Sequence, residues 1–309
     1  MNNLLKKLTL TVTSAWLASL LYSGHSLAKA NESAVVTSDH VAQVKAAAKH
    51  HLLQDKVKPA DADAVAVIGN IQQAILALGK NDGKTAKSHL QTADRVLASI
   101  LAKNPGLALL PADVNIDLED FSGTSEEVAA ITGKARDYLK QDKLQAARQL
   151  LADLASDATI ETVNIPLATF PAAIKQAITT IDAGLLDQAA VDLDASMNTL
   201  VVEGEVFVLP VLRAEDLLTE ASVLEHQTDL SQEQNRAKIR TFTDAAKEQI
   251  RLAERLGYGS KTDYEPLFSD IDAIDKVLFT EKSKATWAKI KSHIDDLKRV
   301  ITNIGHPAQ

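Results

Sequence analysis

The sequence predicts a mainly α protein, a compact helical bundle built of helical hairpins, on three observations. Apolar residues recur at steps of three and four along most of the chain, and one helix–turn–helix pattern occurs three times. Cysteine is absent from all 309 positions. With no disulfides available, burial alone must hold the fold. A chain of this length buries roughly three quarters of its unfolded surface, which is enough.

The first thirty residues read as a targeting segment. Lys6 and Lys7 precede an apolar stretch from Leu8 to Tyr22, and Ala28-Lys29-Ala30 offers small residues for a peptidase. This is the order of a secretory signal, so residues 1–30 are expected to be cleaved and residues 31–309 to form the helical domain in the periplasm. The apolar stretch is shorter than the roughly 20 residues of a membrane span and carries Thr9, Thr11, Thr13 and Ser14. Charged residues interrupt every later apolar run, so no membrane span is expected.

Two stretches show the helical face most clearly. Ile239, Phe242, Ala246, Ile250 and Ala253 form one; Trp287, Ile290, Ile294, Leu297 and Ile301 form the other. Thr124 with Glu127, and Ser231 with Gln234, have capping-box spacing. The thrice-repeated pattern runs Leu78, Ala86, Leu90, then Tyr138, Ala146, Leu150, then Ile181, Ala189, Leu193. Asn81-Asp82-Gly83, Gln141-Asp142-Lys143 and Asp182-Ala183-Gly184 supply the turns. Each unit reads as two helices whose backbones approach at the small Ala. Such hairpins resemble tetratricopeptide units, but their unequal spacing argues against a regular array.

Three stretches break the helical period: residues 114–118, 159–165 and 201–208, each β-branched or alternating and bounded by Pro111, Pro166 or Pro210. They either pair as a small accessory antiparallel sheet or run as extended linkers. The stretch from Pro105 to Thr124 is the candidate boundary between two lobes. No Pro/Gly/Ser-rich linker separates them, so one continuous core fits equally well.

The formal charge is −8, and loss of Lys6, Lys7 and Lys29 would make it −11. An acidic chain with 4% aromatic residues lacks the clustered cations and stacking rings of a nucleic-acid binder. Acid would carry its charge through zero near the pI of about 5.5, favouring self-association there. No Gly-x-Ser-x-Gly elbow and no cysteine nucleophile occur. Of the histidines beyond residue 30 (His40, His50, His51, His89, His226, His293 and His306), no two stand at the i, i+4 spacing of helical zinc ligands. Asp270, Asp272 and Asp275 lack the glycine of a calcium loop, and Ile271 and Ile274 continue a helical face through them. Neither a metal nor a cofactor is expected.

The segment from Asn164 to Ala221, with the run from Ala246 to Asp272 that includes Gly257-Tyr258-Gly259, Tyr264 and Glu265-Pro266-Leu267, resembles the YfdX family of bacterial envelope stress proteins. The resemblance implies a helical periplasmic protein associated with acid, heat and antimicrobial stress, without catalytic residues to carry over. Its recurring positions here, among them Pro166, Pro171, Gly184, Pro210, Gly257, Tyr258 and Tyr264, all have structural explanations as caps, turns or core. The run Leu209-Pro210-Val211-Leu212-Arg213-Ala214-Glu215 offers the candidate groove residues Leu209, Pro210, Val211, Arg213 and Glu215. An apolar loop running into a helix start there forms either a groove wall or a buried helix start. The expected function is therefore non-enzymatic and chaperone-like. Unfolded client proteins or small hydrophobic molecules are its partners, and a homo-oligomer is its expected form. A hairpin scaffold docking one specific envelope protein is the alternative, and an envelope hydrolase the last.

Overall fold

In the computed structural model, which describes residues 38–302 apart from 279, 281 and the side chains of 38 and 275, three strands each follow a helical hairpin. After helix α1 (Ser38–Lys56), α2 (Ala62–Leu78) and α3 (Gly83–Lys103) lead into β1 (Leu109–Asp120). Next, α4 (Ser125–Lys140) and α5 (Leu144–Leu151) lead into β2 (Ser156–Pro166), and α6 (Phe170–Asp182) and α7 (Leu186–Met197) into β3 (Val201–Val208). Four more helices follow: α8 (Leu209–Gln227), α9 (Glu233–Leu256), α10 (Lys261–Val277) and α11 (Lys282–Thr302). The protein is mainly α, with a small antiparallel sheet. The three stretches read as strands or linkers are strands, and β1 and β2 extend beyond the residues whose pattern marked them.

The hairpin turns are alike in detail. Asn81, Asp142 and Gly184 each adopt positive φ, at 58°, 57° and 78°. The next N–H, of Asp82, Lys143 or Leu185, donates back to the carbonyl of Ala77, Tyr138 or Thr180 at 2.9, 2.9 and 3.1 Å. That bond closes a helix end with a left-handed residue, a conformation open to Gly and tolerated by Asn and Asp. Counting from these turns corrects the register of the second unit. Its equivalent positions are Leu139, Ala147 and Leu151, one residue later than the periodicity suggested. Ala147 is buried with Ala86 and Ala189, whereas Ala146 is only partly so. The error arose because both registers place an alanine between apolar neighbours.

Sheet topology decides where the hairpins go. β2 lies between β1 and β3 and is antiparallel to both. Leu109 pairs with Pro166, and Val201 with Asn164, so β1 and β3 start at the same end of the sheet. β2 starts at the other end, where Ser156 pairs with Asp120 and Asp157 with Val208. The hairpins α2–α3 and α6–α7 therefore arrive together and pack as a four-helix bundle. Its core includes Ile71, Leu90, Leu97, Ile174 and Leu193, sealed by Leu110 and Ile165 from the sheet. Each fully buried Leu or Ile contributes about 1.5–3 kcal/mol. The exposed Lys87–Asp182 pair at the seam adds at most about 1 kcal/mol, so packing holds the bundle.

At the other end α8–α11 and one side of α1 form a second core around Phe242, Ile250, Tyr264, Ile271 and Ile294. Both helical faces expected upstream and at the C-terminus are buried in it. Tyr264 Oη donates to the Tyr258 carbonyl, and Tyr258 Oη donates to Asp157 while accepting from the Ser156 N–H at 2.8 Å. Burial and the Asp157 carboxylate push the Tyr258 phenol pKa up, which keeps it a donor. The Gly-Tyr-Gly turn thus pins α9 and α10 to the start of β2, and Gly257 takes the left-handed cap at φ 92°. Buried Glu225 accepts from Trp287 Nε1, linking α8 to α11.

The Thr124–Glu127 capping box forms. The Ser231–Gln234 box does not, because α9 starts after Gln232 and the Ser231 N–H donates instead to Asp229 Oδ1 at 3.0 Å. Ser260 and Asp263 cap α10 in the same style with an acid shorter by one carbon. Residues 105–124, the candidate lobe boundary, contain β1, whose first residues join the core of the four-helix bundle. The signal segment and His306 lie outside the described residues. Among the described residues no helix is long and apolar enough to cross a membrane.

The corrected register is tested by paired substitutions. Ala147→Leu should destabilise the chain by about 1–3 kcal/mol through overpacking, read as the urea midpoint. Ala146→Leu should cost clearly less.

Candidate functional site

A cleft of about 790 Å³ opens between α1, β3, α8 and the end of α11. Its position follows from chain continuity: α8 starts directly from β3 with Pro210 in its first turn, so strand end and helix flank form one wall. Leu52, Val206, Phe207, Val208, Leu212 and Ile301 supply its apolar lining. A small cluster of Leu52, Ala158 and Leu209, with Phe207 and Leu212 packed on it, forms the floor.

Ionisable groups fence this floor. Lys298 Nζ donates to both oxygens of Glu215, at 2.9 and 3.0 Å, and lies 3.2 Å from Asp295. Burial works against the Lys298 ammonium, but Glu215 and Asp295 outweigh it and hold its pKa above the ordinary value. Across the cleft His51 Nδ1 lies 3.4 Å from Asp216 Oδ2. That distance is an ion pair's, yet the oxygen is buried without an aligned hydrogen bond. Burial raises the Asp216 pKa, opposed by His51. Lys56 sits 5.4 Å above the Phe207 ring.

The five candidate residues fall on the first turns of α8 and diverge around it. Leu209, Pro210 and Val211 are buried; they build the helix start and the cores beneath it. Only Glu215 reaches the main cleft, together with its neighbours Leu212 and Asp216. Arg213 points the other way. Its Nη2 donates to both oxygens of Asp120 at the end of β1, at 2.7 and 2.8 Å, and it lines a second cleft of about 370 Å³ with Lys45, Lys49 and Gln249. There burial and Arg213 together lower the Lys45 pKa, although Glu248 and Asp120 oppose them. Arg213 Nε and Gln249 Oε1 are buried without hydrogen-bond partners.

The reading of the α8 start missed His51 and Leu52 from α1, Phe207 from β3 and Lys298 from α11. Only the β-like run at 201–208, ending beside the candidate residues, could have pointed there. Among the described residues no group of three or more His, Asp or Glu stands close enough to hold a metal ion.

Asp216 carries a pH dependence whose sign follows from its burial. A carboxyl whose folded pKa is raised adds stability at low pH, and that stability is lost as pH rises through the folded value. Asp216→Asn should therefore raise the thermal midpoint at pH 7. The gain should shrink and vanish below the ordinary carboxylate pKa of about 3.9.

The model of the YfdX protein family matches residues 67–206. That span begins in α2, takes in all three hairpins and ends inside β3. Among solved structures, the YfdX of Salmonella Typhi is similar at 15% identity, with a TM-score of 0.35, covering 48% of this chain and 93% of that one. No curated protein matches the chain. The family match spans residues 67–206, and over that span the chain is similar to the YfdX family.

Proposed function

We propose that this protein is a non-enzymatic stress-response protein of the periplasm, which binds unfolded protein segments or small hydrophobic molecules in the cleft beside α8. The observation that carries this reading is the cleft's composition: an apolar lining of Leu52, Phe207, Leu212 and Ile301 ringed by ionisable side chains. Such a lining offers an apolar guest a dry contact, and the charged rim keeps the opening hydrated and discourages collapse onto another copy. Export rests on the signal-like residues 1–30, and the link to heat, acid and antimicrobial stress rests on the family resemblance.

The ionisable groups in the cleft favour binding over chemistry. Glu215 and Lys298 neutralise one another, and the Thr302 hydroxyl is committed to the Lys298 carbonyl at 2.6 Å. His51 and Asp216 form a pair with no serine in the cleft lining to activate.

Light scattering of a heat-denatured client protein tests the reading at neutral and acid pH. The mature protein should suppress aggregation, and Leu212→Glu should lower the suppression at least about fivefold, a loss of roughly 1 kcal/mol, with the thermal midpoint recorded to show the fold survives. No suppression by the wild type at either pH, or equal suppression by the variant, would overturn it.

A further inference from the structure

The hairpin α4–α5 is built like its two relatives but lacks what covers them. Leu78 and Ile181 are 4% and 8% exposed in the four-helix bundle; their counterpart Leu139 is 47% exposed. Leu90 and Leu193 are wholly buried, while Leu151 is 41% exposed. Gly83 and Leu186 meet each other across the bundle, with a Cβ at Gly83 falling 2.8 Å from Leu186 Cδ2. Their counterpart Leu144 is 55% exposed. The N-terminus of α4 is anchored on α9, where the Ser125 N–H and Oγ donate to Glu248 at 2.8 and 3.0 Å. The far end, with these leucines, stands clear.

The bundle also shows what charge suits this face. Residues 62–103 carry five Lys/Arg against three Asp, and residues 170–197 carry four Asp against one Lys. A cationic hairpin thus meets an acidic one through Lys87 on Asp182 at 2.5 Å; the reverse pair, the acidic hairpin's Lys175 with the cationic hairpin's Asp94, is longer at 3.8 Å. Residues 125–151, with five Lys/Arg against four acids, are of the cationic kind. Arg148 holds the position of Lys87, and Lys140 that of Asp182; both are exposed, and the 3.3 Å pair of Lys140 with Asp137 is too exposed to bind it firmly. A second copy of α4–α5, laid on as α6–α7 lies on α2–α3, would set Arg148 against Lys140. Like charges oppose that pairing.

We propose that the face of Leu139, Leu144 and Leu151 docks an acidic helical hairpin of a partner protein, which sets carboxylates against Arg148 and Lys140 and an apolar seam against the leucines. This surface is separate from the cleft beside α8 and stands or falls without it.

The chain's own acidic hairpin supplies a probe. A second copy of residues 167–200 is fused to the C-terminus through a Gly/Ser linker of about 40 residues, which holds it near millimolar effective concentration. Amide hydrogen exchange over residues 138–151 is then compared with the unfused chain. Exchange should slow at least about tenfold. The protection should disappear with Leu144→Glu, and with Asp182→Lys in the appended copy. Equal exchange in fused and unfused chains, or protection that survives Leu144→Glu, overturns the proposal. A wild-type dimer in sedimentation that Leu144→Glu dissociates also overturns it, because the face would then take a second copy. So does Leu144-dependent flotation with anionic vesicles.

Discussion

The antiparallel pairing of β2 with both of its neighbours governs this molecule. Each strand is the continuation of a helical hairpin, so strand direction decides the end at which the hairpin emerges. With β1 and β3 aligned and β2 reversed, the first and third hairpins must share one end and the second must take the other. Two hairpins with complementary charge and matched apolar seams then complete each other. The reversed one is left to find support elsewhere, and it finds it at Glu248 on α9. The helices after β3 fill the same end, and the Tyr258 and Arg213 contacts tie them to the starts and ends of the strands.

The clefts are consequences of the same arrangement. Where β3 runs straight into α8, one side of the helix meets α1 and α11 over a strand end and the other side meets the end of β1. Leu212, Glu215 and Asp216 consequently face the larger cleft while Arg213 faces the smaller. Burial leaves its mark on the titratable groups at both: Asp216 is harder to ionise and Lys45 harder to protonate. In each cleft the cost of desolvating a charge is only partly offset by a neighbour.

Helical faces were legible in the sequence because their signal is local. Ile239 to Ala253 and Trp287 to Ile301 show their period within a single helix, and every residue singled out there is buried. Hairpin repeats were legible for the same reason, down to the turns. The second unit was misplaced by one residue because Ala146 and Ala147 are interchangeable to a pattern, and the turn at Asp142 and the burial of Ala147 separate them only in the folded chain. The strands were visible as β-branched runs, but their pairing, and with it the separation of the second hairpin from the other two, depends on contacts between residues far apart in the sequence, such as Leu109 with Pro166 and Asp157 with Val208. The cleft was the least legible part. Leu52, Phe207 and Lys298 lie on three distant elements and carry no shared motif, so only Glu215 could be named from the α8 start.

Because the chain has no native cysteine, engineered crosslinks measure the central pairing directly. Gly83→Cys combined with Leu186→Cys should give an intrachain disulfide under mild oxidation, identified by mass spectrometry, since the turns of the first and third hairpins touch there. Leu144→Cys combined with either one should give none. Ready intrachain bonding of position 144 to 83 or 186, or none between 83 and 186, would contradict a reversed β2 and the arrangement built on it.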